Sequence, residues 1–192
     1  MNMDIEQISD IVKRVMKESG SSKEVQSVNA CGVPVHPIVD TEKKEKSFLT
    51  ENITLDMANK LIERVIKRAA EIGVSAVAAV VNSGARPVSV QCSDGSYIAS
   101  FDIALGKAYT SVSLKMRTSQ LKELAQPSAP LYGIQHTNGG KIVIFGGGIP
   151  LKFNDKIIGG FGVSGGSEEQ DTYLGEYAAD VFDELISHQI YG

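Results

Sequence analysis

Residues 159–171 read GGFGVSGGSEEQD, and Gly160-Phe161-Gly162-Val163-Ser164-Gly165 spells G-x-G-x-x-G. Those letters mark a dinucleotide-binding turn only where a strand, the glycines and a helix lead on to a second parallel strand. An acidic residue about 20 positions further on then meets the ribose. Here Tyr173, Leu174, Tyr177, Ala178, Val181, Phe182, Leu185 and Ile186 recur at helical spacing almost to the last residue, Gly192. No stretch remains for a second strand. The helix opens on Glu168, Glu169 and Asp171, which answer its own positive end and would repel a pyrophosphate. Ser167 and Gln170 have the spacing of a capping box. The glycines are therefore expected to let a strand twist or another backbone come close, and no NAD site is expected. Gly162-Val163-Ser164-Gly165-Gly166 also matches the letters G-x-S-x-G. A hydrolase would need an acid and a histidine further along the chain, and His188 is the one histidine that follows.

Upstream of the glycines, KIVIFGGGIPLKFNDKIIGGFGVSGG (141–166) predicts three short strands, the clearest turn falling at Asn154-Asp155. Thr54 is a plausible N-cap for a helix reaching Ile72. Leu55, Ala58, Leu61, Ile62, Val65, Ile66, Ala69 and Ile72 share its apolar face, and Gly73 ends it. Two strands, 75–81 and 87–92, follow as a hairpin through Asn82-Ser83-Gly84-Ala85-Arg86. The first, SAVAAVV, is apolar throughout and reads as a central strand covered on both faces. Helices are expected over 98–114, rich in small residues, and 119–125. The sum is an α+β fold: one five-stranded, mostly antiparallel sheet flanked by helices, in a domain spanning 48–188.

The chain has 192 residues, a net charge of −4 and 42% hydrophobic content. Without a basic block, nucleic acid is not an expected partner. The N-terminus carries Asp4, Glu6 and Asp10 where a signal peptide needs a basic and then an apolar run. No apolar stretch nears the ~20 residues that span a bilayer, so no membrane partner is expected. Cys31 and Cys92 read as reduced thiols of a cytoplasmic protein. Residues 1–20 predict a short amphipathic helix striped by Ile5, Ile8, Val12 and Val15, and 21–47, with Pro34, Pro37 and EKKEK, predict a flexible linker. The helix has too few heptads for a coiled coil and lacks the basic, aromatic make-up of a membrane-surface helix. A partner's groove, bound through Ile5, Ile8, Val12 and Val15, is the expected use, with packing on a neighbouring subunit as the alternative.

Several segments, in order, resemble the GlcG/HbpS family of haem-binding proteins, which includes the C-terminal domain of the propanediol-utilisation protein PduO. They are ITLDMANKLIERVIKRAAEIGV, VAAVVNSGARPVSV, DGSYIASFDIALGKAYTSVS and GGGIPLKFNDKIIGGFGVSGG. The likeness covers roughly 50–187. Its most specific pieces are Ser100, Ala104, Lys107-Ala108 and Thr110 together with the glycines of 159–166. The resemblance implies a profilin-like layout, haem as ligand with a corrinoid second, and homo-oligomers, commonly tetramers or octamers. About 48 residues precede the resembling part, so cobalamin adenosylation is not expected. A short helix, a linker and a cargo domain together resemble the encapsulation peptides that direct proteins into bacterial microcompartments. That implies a shell protein as partner and the compartment lumen as location.

With haem implied, histidines are the natural ligands, and there are three. His36 and His188 read as solvated. His136, in LYGIQHTNGG, is the candidate axial metal ligand, with a plain surface histidine as the alternative. No HExxH or Cys/His cluster supports zinc. Lys107 matches the family's Lys-Ala pair in a small, apolar helix. It can bind an anionic group such as a haem propionate or act as a base or Schiff-base nucleophile; otherwise it is a snorkelling lysine or pairs with Asp102 or Asp94. No catalytic constellation stands out. The reading is a non-enzymatic tetrapyrrole-binding accessory protein. The competing readings are a ligand-free oligomeric scaffold and an enzyme acting on a small metabolite or degrading haem.

Overall fold

The computed structural model describes residues 51–191. The stripe Ile5, Ile8, Val12 and Val15, the linker 21–47, His36 and Cys31 lie outside the described residues. Thr54 caps the first helix as its sequence predicts, its side chain accepting from Met57 N–H at 3.2 Å. That helix, α1 (Leu55–Glu71), buries Met57, Ala58, Leu61, Ile62, Val65 and Ala69. Leu55, assigned above to the apolar face, is instead 58% exposed, and Met57 takes the inward place. Gly73 follows at φ +74, a conformation open to glycine at little cost.

Strands β1 (Val77–Asn82) and β2 (Pro87–Cys92) form the expected antiparallel hairpin. Asn82 Oδ1 closes its turn by accepting from the N–H groups of Gly84 and Arg86, both at 3.0 Å. Helices α2 (Ile98–Ser113) and α3 (Thr118–Leu124) come next, then two short 3-10 turns, Ile134–His136 and Asn138–Gly140. Strands β3 (Gly148–Phe153) and β4 (Lys156–Ser164) meet across Asn154 and Asp155, both at positive φ. Helix α4 (Glu168–Tyr191) completes the described chain. Ser167 and Gln170 form the capping box: Ser167 N–H donates to Gln170 Oε1 at 2.9 Å, and Gln170 N–H donates to Ser167 Oγ at 3.3 Å.

The sheet order is β2-β1-β4-β3, antiparallel throughout, with β1 central as its apolar sequence requires. Four strands, not five, form it among the described residues. The expected extra strand, KIVIF (141–145), lies instead along α2. Val143 N–H donates to Thr110 Oγ1 at 2.9 Å, and a Cβ on Gly106 would stand 2.7 Å from Val143 Cγ2. The segment spends its polarity on a helix rather than on a strand ladder. Alternating apolar residues fit a strand and an extended cover equally well.

Cores lie on both faces of the sheet. Ala78, Val80, Phe161 and Val163 point to α1 and α4, whose Leu174, Ala178, Val181 and Phe182 are buried there. Val77, Ala79 and Val81 meet Ala104, Ala108 and Val112 of α2. On that second face β4 presents glycines. A Cβ on Gly160 would stand 2.6 Å from Ser111 Oγ and 2.7 Å from Ala108 O, and one on Gly162 would run into Ala104 O and Ala108 N. The G-x-G letters of 160–162 thus let a helix backbone rest on a strand. The small residues of α2 serve this contact within one chain.

Candidate functional site

Lys107 is wholly buried, at the point where α2, β4 and α4 converge. Its Nζ donates to Asp171 Oδ2 at 2.7 Å and to Val163 O at 2.8 Å, and lies 5.2 Å from the centre of the Phe145 ring. Asp171 Oδ1 accepts from Gly166 N–H at 3.0 Å, so one carboxylate holds both the helix start and the lysine. Burial pushes the Lys107 ammonium below the ordinary lysine value, and the Asp171 charge opposes that fall. The partner is Asp171 rather than Asp102 or Asp94, both of which are exposed. Residues five apart on a helix are turned by about 140°, so Asp102 points away from the face that Lys107 buries.

A second group surrounds an open cleft of about 390 Å³ over the outer side of α2. Ala85 and Pro87 of the hairpin, Asp102, Leu105, Gly106 and Tyr109 of α2, and Gly140, Lys141 and Val143 line it. Its size is that of a small-molecule site, and its walls are largely apolar with a few polar groups. Lys141 Nζ stands 5.7 Å from the Tyr109 ring centre, and Asn138 Nδ2 donates to Tyr109 Oη at 3.3 Å. That hydrogen bond holds the Tyr109 phenol below its ordinary value, aided by Ser113 and Lys141. The loop that ends in this cleft begins with His136, which is exposed at the end of a 3-10 turn. Its Nε2 lies 3.4 Å from Gln135 Nε2, whose companion Oε1 is buried without a partner. His136 does not itself line the cleft, and Lys107 faces neither. His188 is exposed elsewhere, beside Asp56, Lys60 and Leu185. Among the described residues no three His, Cys, Asp or Glu side chains gather as a metal site.

Sequence reasoning singled out His136 and Lys107 and missed Tyr109, Asn138 and Lys141. The signal for the cleft lay in KIVIF: read as a cover strip on α2, it carries Lys141 to Tyr109.

Residues 53–180 match the family model described as haem degrading protein HbpS-like. The chain belongs to the HbpS-like family. A 15.0 kDa protein from the dhaT–dhaS intergenic region of Citrobacter freundii is 46% identical to it over 140 residues, 73% of this chain and 99% of that protein. The corrinoid adenosyltransferase PduO of Salmonella typhimurium is 36% identical over 121 residues, 62% of this chain, and the chain spans only 36% of that protein's length. The crystal structure of a PduOC:heme complex superposes with a TM-score of 0.65 at 32% identity, covering 68% of this chain and 94% of that one. The HbpS-like match covers all four strands and α1 to α3, and so includes Lys107, the cleft and His136.

Proposed function

We propose that this HbpS-like protein is a haem-binding accessory protein, homo-oligomeric and cytoplasmic, carried as cargo in a bacterial microcompartment. The observation that carries the haem reading is the likeness of the whole domain to PduOC, solved as a heme complex. The donor set here fits such a group. His136 offers an exposed imidazole with the Gln135 amide near its Nε2, and the cleft at the other end of the same loop offers apolar walls with Lys141 to meet a propionate. When bound, the iron would supply redox chemistry. The chain's own part is to hold the metal through His136 and the carboxylates through Lys141. Lys107, for which a propionate was one of the alternatives above, is engaged with Asp171, and we give it the task of holding the fold around the site.

Titration with hemin tests this. The Soret band is expected to shift and to saturate near one equivalent per subunit or per pair of subunits. His136→Ala is expected to abolish the low-spin spectrum. Absorbance that merely follows free hemin would end the haem reading, and an unchanged Soret band in His136→Ala would remove His136 alone. The family's description favours one competing reading, haem breakdown. In the same cuvette, adding a reductant in air separates the two. A carrier keeps its Soret band, whereas a degrading enzyme loses it and releases iron with turnover.

A further inference from the structure

Helix α2 keeps its small side against the sheet and turns large apolar residues outward. Ile98 is 96% exposed, Tyr97 73% and Phe101 43%. Tyr97, Phe101 and Leu105 are four residues apart and so form one stripe, which runs into the cleft at Asp102, Leu105 and Tyr109. Nothing among the described residues covers it. We infer that a second copy of the chain docks here, α2 against α2 about a two-fold axis, so that the two clefts share one interface. This rests on the homo-oligomeric reading above and names the surface.

Three observations favour a second copy over another occupant. The first is area. Tyr97, Ile98 and Phe101 together expose on the order of 400 Å², about half of what one partner gives to a standard interface, and the cleft rim extends it. The second is charge. Asp102 and Lys141 line the same cleft, and neither has an ion-pair partner among the described residues. A two-fold axis requires a surface to be complementary to itself, and a face that carries both an acid and a base meets that requirement. A membrane-docking face would instead be ringed by Lys and Arg, whereas Asp94 and Asp102 flank this one. The third is the neighbouring edge. Leu105 lines the cleft together with Pro87, the first residue of β2, and β2 is an edge strand reading PVSVQC without a charge. Both edge strands carry a proline, Pro87 in β2 and Pro150 in β3, but only β3 adds a charge, Lys152, of the kind that protects an edge left in water. An edge strand without a charge beside an uncovered apolar helix marks a surface that is not left in water.

Sedimentation of the full chain at micromolar concentration is the test, with Ile98→Asp/Phe101→Asp as the disrupting variant and Leu55→Asp, equally apolar and exposed on α1, as control. The wild type and Leu55→Asp are expected to share one oligomeric mass. The double variant should fall to half of it or less, with an unchanged far-ultraviolet circular dichroism spectrum. A double variant that keeps the wild-type mass overturns the surface and leaves the oligomer standing. A monomeric wild type overturns the oligomer and the surface with it. As a second readout, a photo-crosslinking benzoylphenylalanine in place of Phe101 should link to α2 of another copy. A link to residues 1–40 of the chain would give the face to that segment and overturn the proposal.

Discussion

An ammonium taken out of water costs several kcal/mol unless other groups replace its hydration. Lys107 finds the Asp171 carboxylate, the Val163 carbonyl and the face of Phe145. Removing only the lysine would strand a nearly buried carboxylate, and a lone buried charge is the costly case. Lys107→Met is therefore expected to cost about 3–5 kcal/mol in urea denaturation. Adding Asp171→Asn removes the stranded charge while keeping an acceptor for Gly166 N–H, and should recover about 1–3 kcal/mol of that loss. A single-variant cost under about 1 kcal/mol would show that the pair does not hold these elements together. The sequence made Lys107 conspicuous, because a lysine among Ala, Gly and Thr on a helix is out of place. It did not give the partner, since Asp171 lies 64 residues away and reads on its own as a first-turn helix acid. His136 was legible as a residue type, but its distance from the cleft lining was not, because turns encode position weakly.

Elements were legible where a period or a cap marked them. Thr54 and the Ser167–Gln170 box named two helix starts, and unbroken apolarity named β1 as central. The failure fell on KIVIF, where local alternation says strand and a hydroxyl on another element, Thr110 Oγ1, takes the amide of Val143. That bond is non-local and leaves no trace in a window of five residues. The glycines of β4 are the opposite case. Their pattern allowed either a tight twist or a close backbone approach, and α2 is what approaches. Gly162→Ala would drive a Cβ into Ala104 O and Ala108 N, both backbone, so the helix must lift off the sheet. The expected loss is about 3 kcal/mol, at the upper end of overpacking costs, read as a lowered melting temperature. Gly84→Ala, in the β1–β2 turn, meets only Asn82 Oδ1 at 3.4 Å and should change stability by no more than about 0.5 kcal/mol. Equal effects of the two substitutions would refute the helix-on-glycine packing.

For the whole chain, the family match starts at residue 53, so it assigns nothing to the residues before it, and the cargo proposal is what gives residues 1–20 a role. The pattern of Ile5, Ile8, Val12 and Val15 gives one narrow apolar stripe, with charges of both signs elsewhere on the segment. A helix of the length the stripe predicts would be marginal on its own in water, so its ordering and its docking should occur together. Such a segment binds weakly per contact, and losing two of its four apolar anchors should abolish docking rather than trim it. Residues 1–20 fused to a fluorescent protein are therefore expected to enter microcompartment shells. Ile8→Glu/Val12→Glu should leave the fusion outside, because each glutamate would have to be desolvated in an apolar groove. The same pair of substitutions in the full chain should lower co-purification with shells at least tenfold and leave the hemin titration unchanged, since the haem reading rests on residues beyond 50. Equal shell association of the two fusions would end the cargo proposal. A full-chain variant with altered oligomeric mass would instead assign the segment to packing between subunits.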